Sequence, residues 1–227
     1  MRKISMGWDS STFLFRLVAA IVFLTVFGGI FAHCVISAIA KGYRWWLIDI
    51  FRTLVHLFTL IFIQQKLTPV GLLRKLVYLL ALLCFVVLVI TGFYPVLFLK
   101  EHLSGYLLMV HATFAPVFAG CLAVLAVMRA DNCRFDKTDW PWLQRLLRRA
   151  PVAGLPDAKY SLVRKICFWL IVVLALPVIL SIVLGMFPLF GTEGQEFLLN
   201  LHRYSTLLLA AVAILHTYLI IRIQMDK

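Results

Sequence analysis

The sequence predicts an all-α integral membrane protein with six transmembrane helices, five being the alternative. Hydrophobic residues make up 63% of the 227 residues, whereas roughly half is usual for a soluble domain. The mean hydropathy of +0.98 is correspondingly high. Apolar stretches of about 20 residues, the length that crosses a bilayer, recur along the chain. Because lipid offers the backbone no hydrogen-bond partners, these stretches are predicted to be helices.

Six apolar segments account for most of the chain. The second of them is weaker than the others, because Asp49 and Arg52 interrupt its first half. This segment is either a short span or an amphipathic helix lying in the interface, and a span is favoured. The predicted spans are Thr12–Ala40, 45–63, 76–99, 103–128, 166–187 and 197–221.

The distribution of basic residues predicts the topology. Cytoplasmic loops of membrane proteins are enriched in Lys and Arg. The net charge of +12 therefore indicates which loops are cytoplasmic, and it is not taken as a sign of nucleic-acid binding. With six spans, loop 129–165 and both termini are cytoplasmic, which agrees with Arg2 and Lys3. With five spans the N-terminus would lie outside. The basic residues of the loop are Arg134, Lys137, Arg145, Arg148, Arg149, Lys159, Arg164 and Lys165.

Two histidines of the last span carry the main functional signal. His202 and His216 are 216 − 202 = 14 residues apart, or about 3.9 helical turns, so both side chains lie on one helix face roughly 21 Å apart along the axis. Ionisable side chains inside a membrane are costly and usually functional. One imidazole near each face of the bilayer could hold two stacked haems and so carry electrons across the membrane.

Depth in the bilayer pairs these histidines with others. His111 is expected in the outer half with His202, and His56 in the inner half with His216. His33 is expected near the outer end of the first span and His102 in a short outer loop. His33 is the fallback partner for His216 in case the second segment lies flat at the surface. Two neutral imidazoles from different helices are the ligands of a bis-histidine haem. The alternative for any of them is an interhelical hydrogen bond.

Arg203 directly follows His202 and would lie near an outer haem. Its guanidinium group could pair with a haem propionate. A basic side chain that reaches from the helix to the membrane surface is an equally good interpretation. The five cysteines form neither Cys-x-x-Cys nor Cys-x-x-Cys-His, so covalent haem attachment and a ferredoxin-type cluster are unsupported.

Three stretches resemble the membrane cytochrome b subunit of formate dehydrogenases and related four-helix di-haem cytochromes b. They are Gly105-Tyr-Leu-Leu-Met-Val-His111, Lys159-Tyr-Ser-Leu-Val-Arg-Lys-Ile-Cys-Phe-Trp169, and Leu201-His202 through His216-Thr-Tyr218. The resemblance covers about 72–227. It implies a four-helix haem-binding core at 71–227, preceded by two membrane segments at 1–70, with haem b held by His111, His202 and His216.

One departure from that family concerns the inner haem. Its usual second ligand is a histidine fourteen residues before a glycine, and counting back from Gly92 gives 92 − 14 = 78, which is Tyr78. Either that haem is absent, leaving one, or another histidine supplies the ligand and two haems are bound. His56, on a segment that the family lacks, is the predicted substitute.

The whole chain also resembles the cytochrome b subunits of high-molecular-weight cytochrome complexes of sulfate-reducing bacteria. This implies an electron-transfer subunit in the inner membrane rather than a self-contained enzyme. Its partners would be a multihaem cytochrome c, iron–sulfur subunits and a polytopic membrane subunit, with menaquinone as a further possibility. A proton-coupled transporter or channel and a cofactor-free scaffold remain the alternatives.

Overall fold

The computed structural model describes residues 10–42, 47–48, 51, 55, 68–137, 139, 159–187 and 189–225. Each long helix found there is long and apolar enough to cross a membrane. No strand occurs in those ranges, so the predicted all-α membrane fold is confirmed. The helices are α1 (Ser10–Lys41), α2 (Pro69–Tyr94), α3 (Gly105–Arg129), α4 (Lys159–Gly185) and α5 (Thr192–Met225).

The ends of α2 follow from local sequence. Thr68 caps the first turn, since its hydroxyl accepts a hydrogen bond from the Gly71 N–H at 3.3 Å, and proline at the first helical position suits a helix start. Pro95 has no N–H to continue the α-helical ladder, and the chain widens there into the π-helical turn Pro95–Leu99. Lys100 then adopts the left-handed conformation, with φ of 61°, and ends the helix.

The four C-terminal helices form two antiparallel hairpins. Helices α2 and α3 pack along each other and make the first hairpin, and α4 and α5 make the second. Close backbone approach between the hairpins is confined mainly to α3 and α4. Elsewhere, the space between them is bridged by side chains or remains open, and the candidate site lies there.

Helix α1 packs outside these hairpins and runs parallel to α5. Phe15 meets Tyr204 edge-on near the start of α5, with ring centroids 5.4 Å apart. His33 Nδ1 lies 2.5 Å from the Tyr218 hydroxyl near the end of α5. The first of these contacts belongs to a buried cluster that joins α1, α2 and α5, formed by Phe15, Ala19, Phe93, Leu207 and Ala210.

The direction of α1 places its end and the start of α2 at the same end of the bundle. Its start packs near Leu97, at the far end of α2, so its end lies at the same end of the bundle as Pro69. Among the described residues, five helices are long and apolar enough to cross a membrane, which agrees with the five-span alternative. The predicted second span, 45–63, lies outside the described residues except for helical positions Leu47, Ile48, Phe51 and Val55.

Ser10 and Met225 lie at opposite ends of the bundle, whereas the sequence predicts both termini on the cytoplasmic face; residues 1–9 and 226–227 lie outside the described residues. His33 is predicted in the outer half, away from His216, but its contact with Tyr218 places it near the His216 end of α5.

The described parts of loop 129–165 are fastened to α4 by polar contacts. Lys165 Nζ donates to Asp139 Oδ2 at 2.7 Å, and the Trp169 indole N–H donates to the Cys133 carbonyl at 3.0 Å. Burial raises the pKa of Asp139, but hydrogen bonds from the Asp136 N–H and from Lys165 outweigh it, and the pKa lies below its ordinary value. These contacts fix how the loop leaves α3 and enters α4.

Candidate functional site

The histidines of this chain fall into two groups in the structure. His111, His202 and His216 all belong to the two hairpins, on α3 and α5. His33 contacts Tyr218 on α1's side of α5, and His102 is exposed in the connection before α3. His56 lies outside the described residues. The structure therefore gathers three of the four predicted ligands in the four-helix core.

The ring of His111 is held by the other helix of its own hairpin. Its Nδ1 lies 2.9 Å from Thr91 Oγ1, and that hydroxyl also donates to the Val87 carbonyl at 2.8 Å. A hydroxyl has one hydrogen to donate, so when it bonds to the Val87 carbonyl, Thr91 accepts from Nδ1–H. The hydrogen-bond network thus assigns the proton to Nδ1 and leaves a lone pair on Nε2.

Gly92 makes room for this arrangement. A Cβ at that position would lie 3.2 Å from His111 Cε1, closer than ordinary van der Waals contact. The absence of a side chain lets the imidazole lie directly against α2, beside its hydrogen-bond partner Thr91.

His202 is held in the same way within the second hairpin. Its Nδ1 is 3.1 Å from the Val178 carbonyl and 3.4 Å from Ser181 Oγ, which itself donates to Val178 O at 3.0 Å. A carbonyl can only accept, so the proton again lies on Nδ1. Nε2 of His202 therefore also keeps its lone pair.

Together these contacts make a matched pair. His111 and His202 lie close enough to interact electrostatically, and each has its Nδ1 fixed by the neighbouring helix of its own hairpin. Metal-binding histidines usually donate the second ring N–H to a carbonyl or hydroxyl in this manner, which fixes the tautomer and the ring orientation. The pair can thus offer two neutral nitrogen ligands from two different helices to one iron.

The third histidine lies in a different environment. His216 lines a space that receives side chains from all four core helices, including Tyr78 on α2, Arg129 on α3 and Arg164 on α4. This space is a cavity of about 120 Å³ that is partly open to the surroundings. Its walls are mostly apolar. We call it the inner cavity.

The inner cavity contains an unsatisfied polar group. Nδ1 of His216 is buried and has no hydrogen-bond partner among the described residues. Leaving such a nitrogen without a partner is costly, and native structures rarely do so. Tyr78 faces the same cavity, where the guanidinium of Arg129 lies 5.9 Å from the centre of its ring. The fallback partner His33 is not part of the described cavity lining.

Sequence reasoning missed several residues of these sites. Thr91 and Ser181 are small polar residues inside apolar spans, and this was the signal that the sequence offered for them. In the structure both side chains are almost fully buried. Arg164 was counted only as a loop charge, and Arg129 was not singled out. Arg203, which was predicted, is half-buried and interacts electrostatically with its neighbour His202.

The model of the prokaryotic cytochrome b561 family matches residues 70–225, from the start of α2 to the end of α5. The chain belongs to this family. Prokaryotic cytochromes b561 are membrane proteins that bind haem b and transport electrons, so the prediction of a transmembrane b-type cytochrome is confirmed. No curated protein and no solved structure matches the chain.

The residues of this cytochrome b561 fit the cofactor that its family binds. In one half of the core, two imidazoles have Nε2 available and the other nitrogen fixed. In the other half, a buried imidazole nitrogen lacks a partner beside an apolar cavity. Both features suit a flat apolar macrocycle bound through its iron.

Proposed function

We propose that this chain is the b-type cytochrome subunit of a respiratory redox complex in the bacterial inner membrane. It would relay electrons between a periplasmic cytochrome c or iron–sulfur partner and a cytoplasmic iron–sulfur subunit or the quinone pool. Family membership supports membrane electron transfer. The observation that carries the residue assignment is the matched anchoring of His111 and His202 through Nδ1.

The outer haem b is proposed to bind between His111 and His202. Bound haem b supplies one-electron iron chemistry, while the protein sets ligation, orientation and dielectric. Thr91 and the Val178 carbonyl hold the two neutral imidazoles in the tautomer that can ligate iron. Arg203 is proposed to pair with a propionate of this haem, as its place beside His202 suggests.

The inner haem is proposed to bind His216, with His56 as its second ligand. The connection 42–68 starts and ends at the end of the bundle where His216 lies, because α1 ends there and α2 begins there. His56 belongs to this stretch of the sequence, and its own position lies outside the described residues. The unpaired Nδ1 of His216 supports an additional group in this cavity.

Two haems at these histidines would span much of the bilayer. Fourteen residues of α5 separate His202 from His216, roughly 21 Å along the helix axis, against about 30 Å for the hydrocarbon core. With loop 129–165 in the cytoplasm, His216 is on the cytoplasmic side and Ser10 on the periplasmic side. The proposed partners are a multihaem cytochrome c, iron–sulfur subunits, a polytopic membrane subunit and menaquinone.

A reduced-minus-oxidised optical spectrum of the purified chain tests the function. We expect a b-type signal that is retained in His102→Ala, a matched control because His102 is exposed outside the core. A transporter or a cofactor-free scaffold would give no such signal. Absence of bound haem from protein purified out of a haem-sufficient host would overturn the proposed function.

A further inference from the structure

Two guanidinium groups share the inner cavity with His216. Arg129 is the last residue of α3, and Arg164 lies in the second turn of α4. Both side chains line the cavity, and both interact electrostatically with His216. They approach it from different hairpins, at the end of the bundle where α3 ends and α4 begins.

Neither arginine has an acidic partner among the residues that the structure describes. The nearby carboxylate of Asp139 is bound to Lys165 at 2.7 Å. The contact found for Arg129 is the face of the Tyr78 ring. Like charges that converge on a mostly apolar space at the membrane are unfavourable unless a counter-charge joins them.

The chemistry of the cavity selects among possible occupants. A quinone head group is neutral and would leave both cations uncompensated. A haem b carries two propionate carboxylates on one edge of an otherwise apolar macrocycle, which matches two cations at one end of an apolar space. Arginine is well suited to carboxylates, because its planar fork of N–H groups can bind both oxygens.

We infer that Arg129 and Arg164 bind the propionate carboxylates of the haem held by His216. This rests on the proposed inner haem and adds the residues that orient it. The first hairpin and the second hairpin each contribute one cation, so the cofactor would bind to both hairpins at the end where α3 ends and α4 begins. Tyr78 then stacks against Arg129 and helps to hold it, instead of serving as an iron ligand.

The test uses the full-length chain in detergent with Arg129→Gln, Arg164→Gln and the double variant. Arg134→Gln is the control, because Arg134 is exposed beside the end of α3 and does not line the cavity. Potentiometric titration, followed optically and by spin resonance, gives the midpoint potential of each haem. Loss of a nearby cation favours oxidised iron. We therefore expect the potential of the His216 haem to fall in each variant and further in the double variant, with the other haem and the control unchanged.

A second measurement examines the carboxylates directly. Apoprotein is reconstituted with protohaem or with its dimethyl ester, which lacks both negative charges. The unaltered chain should prefer protohaem at the His216 site, and the preference should fall toward unity in the double variant. Arg129→Lys should retain part of it. Normal filling of the His111–His202 site shows that each variant has folded.

The outcomes separate this inference from the function beneath it. An unchanged His216-haem potential and unchanged ester discrimination in the double variant would overturn the inference while leaving a two-haem cytochrome intact. Equal shifts of both haems would also overturn it, since they would indicate a general change of charge. If no haem in the preparation depends on His216, both the inner haem and its propionate partners are wrong.

Discussion

The two histidines of α5, His202 and His216, lie in opposite halves of the four-helix core and differ in how their rings are held. In the outer half, His111 and His202 each have Nδ1 satisfied by the neighbouring helix. In the inner half, Nδ1 of His216 is buried without a described partner, and Tyr78 stands where an imidazole is expected. In the proposed outer site, both imidazoles and the groups that hold them come from α2–α5. The proposed inner site would need a further ligand from elsewhere in the chain.

The difference has a physical origin in packing. The outer ligands touch the partner helix of their own hairpin, and Gly92 allows that contact. The other half opens into the inner cavity, which two arginines line and where Nδ1 of His216 has no partner among the described residues. The two histidines of α5 therefore differ in how the neighbouring helices hold their rings.

Removal of either outer ligand should have the largest effect. His111→Ala and His202→Ala should each lose about one haem per chain, because a single imidazole leaves the iron without its second axial ligand. Haem content and the optical spectrum of the purified variants measure this. Identical losses in the two variants are expected, and full haem content in both would remove the outer assignment.

The inner site is tested by comparing His56→Ala with Tyr78→Phe. We expect His56→Ala to lose the bis-histidine spin-resonance signal of one haem and to keep the other. Tyr78→Phe should keep both signals, since a buried phenol is hard to deprotonate for ligation. Loss of one signal in Tyr78→Phe, with both signals kept in His56→Ala, would make Tyr78 the ligand. The two halves would then both draw their ligands from α2–α5.

A smaller effect is expected from the anchor of His111. Thr91→Val removes the acceptor of Nδ1–H and makes the ligand less electron-donating, which favours reduced iron. If this hydrogen bond is about 1 kcal/mol stronger in the oxidised state than in the reduced state, its loss raises the outer midpoint potential by roughly 40 mV. Thr113→Val is the matched control, because its hydroxyl bonds only to Met109 O on an exposed face. Equal potentials in both variants would show that Thr91 does not tune the ligand.

The smallest effect concerns Asp139 in loop 129–165. The pKa of Asp139 is lowered in the folded protein, so its contribution to stability is present above the unfolded pKa of about 3.9 and is lost as pH falls through the folded value. Asp139→Asn should lower the Tm at pH 7 by a few degrees and make little difference at the acidic end of the titration. A Tm difference that grows on acidification would contradict the assigned sign.

Much of the fold was predictable because hydrophobic length alone identifies membrane helices. Five of the predicted spans correspond to α1–α5, and the pairing of His111 with His202 followed from spacing and depth. The direction of α1 was not predictable, because a short apolar segment with Asp49 and Arg52 can lie in the interface or cross. Only the contacts of Phe15 and His33 fixed that direction.

The polar contacts around the ligands also needed coordinates. Thr91 and Ser181 look like ordinary small residues of apolar spans, and their partners are 20 and 21 positions away in sequence. Arg129 and Arg164 belong to a basic loop whose charge serves topology as well. Nothing in their spacing indicates that two helix ends bring them to one cavity.

Haem stoichiometry in three forms of the chain tests the central claim most directly. We expect two haems per chain in the unaltered protein, one in His202→Ala and one in His216→Ala. The optical bands that remain should differ between the two variants. A single haem in the unaltered protein that is lost in His202→Ala and kept in His216→Ala would contradict the claim that both halves of the core hold a haem.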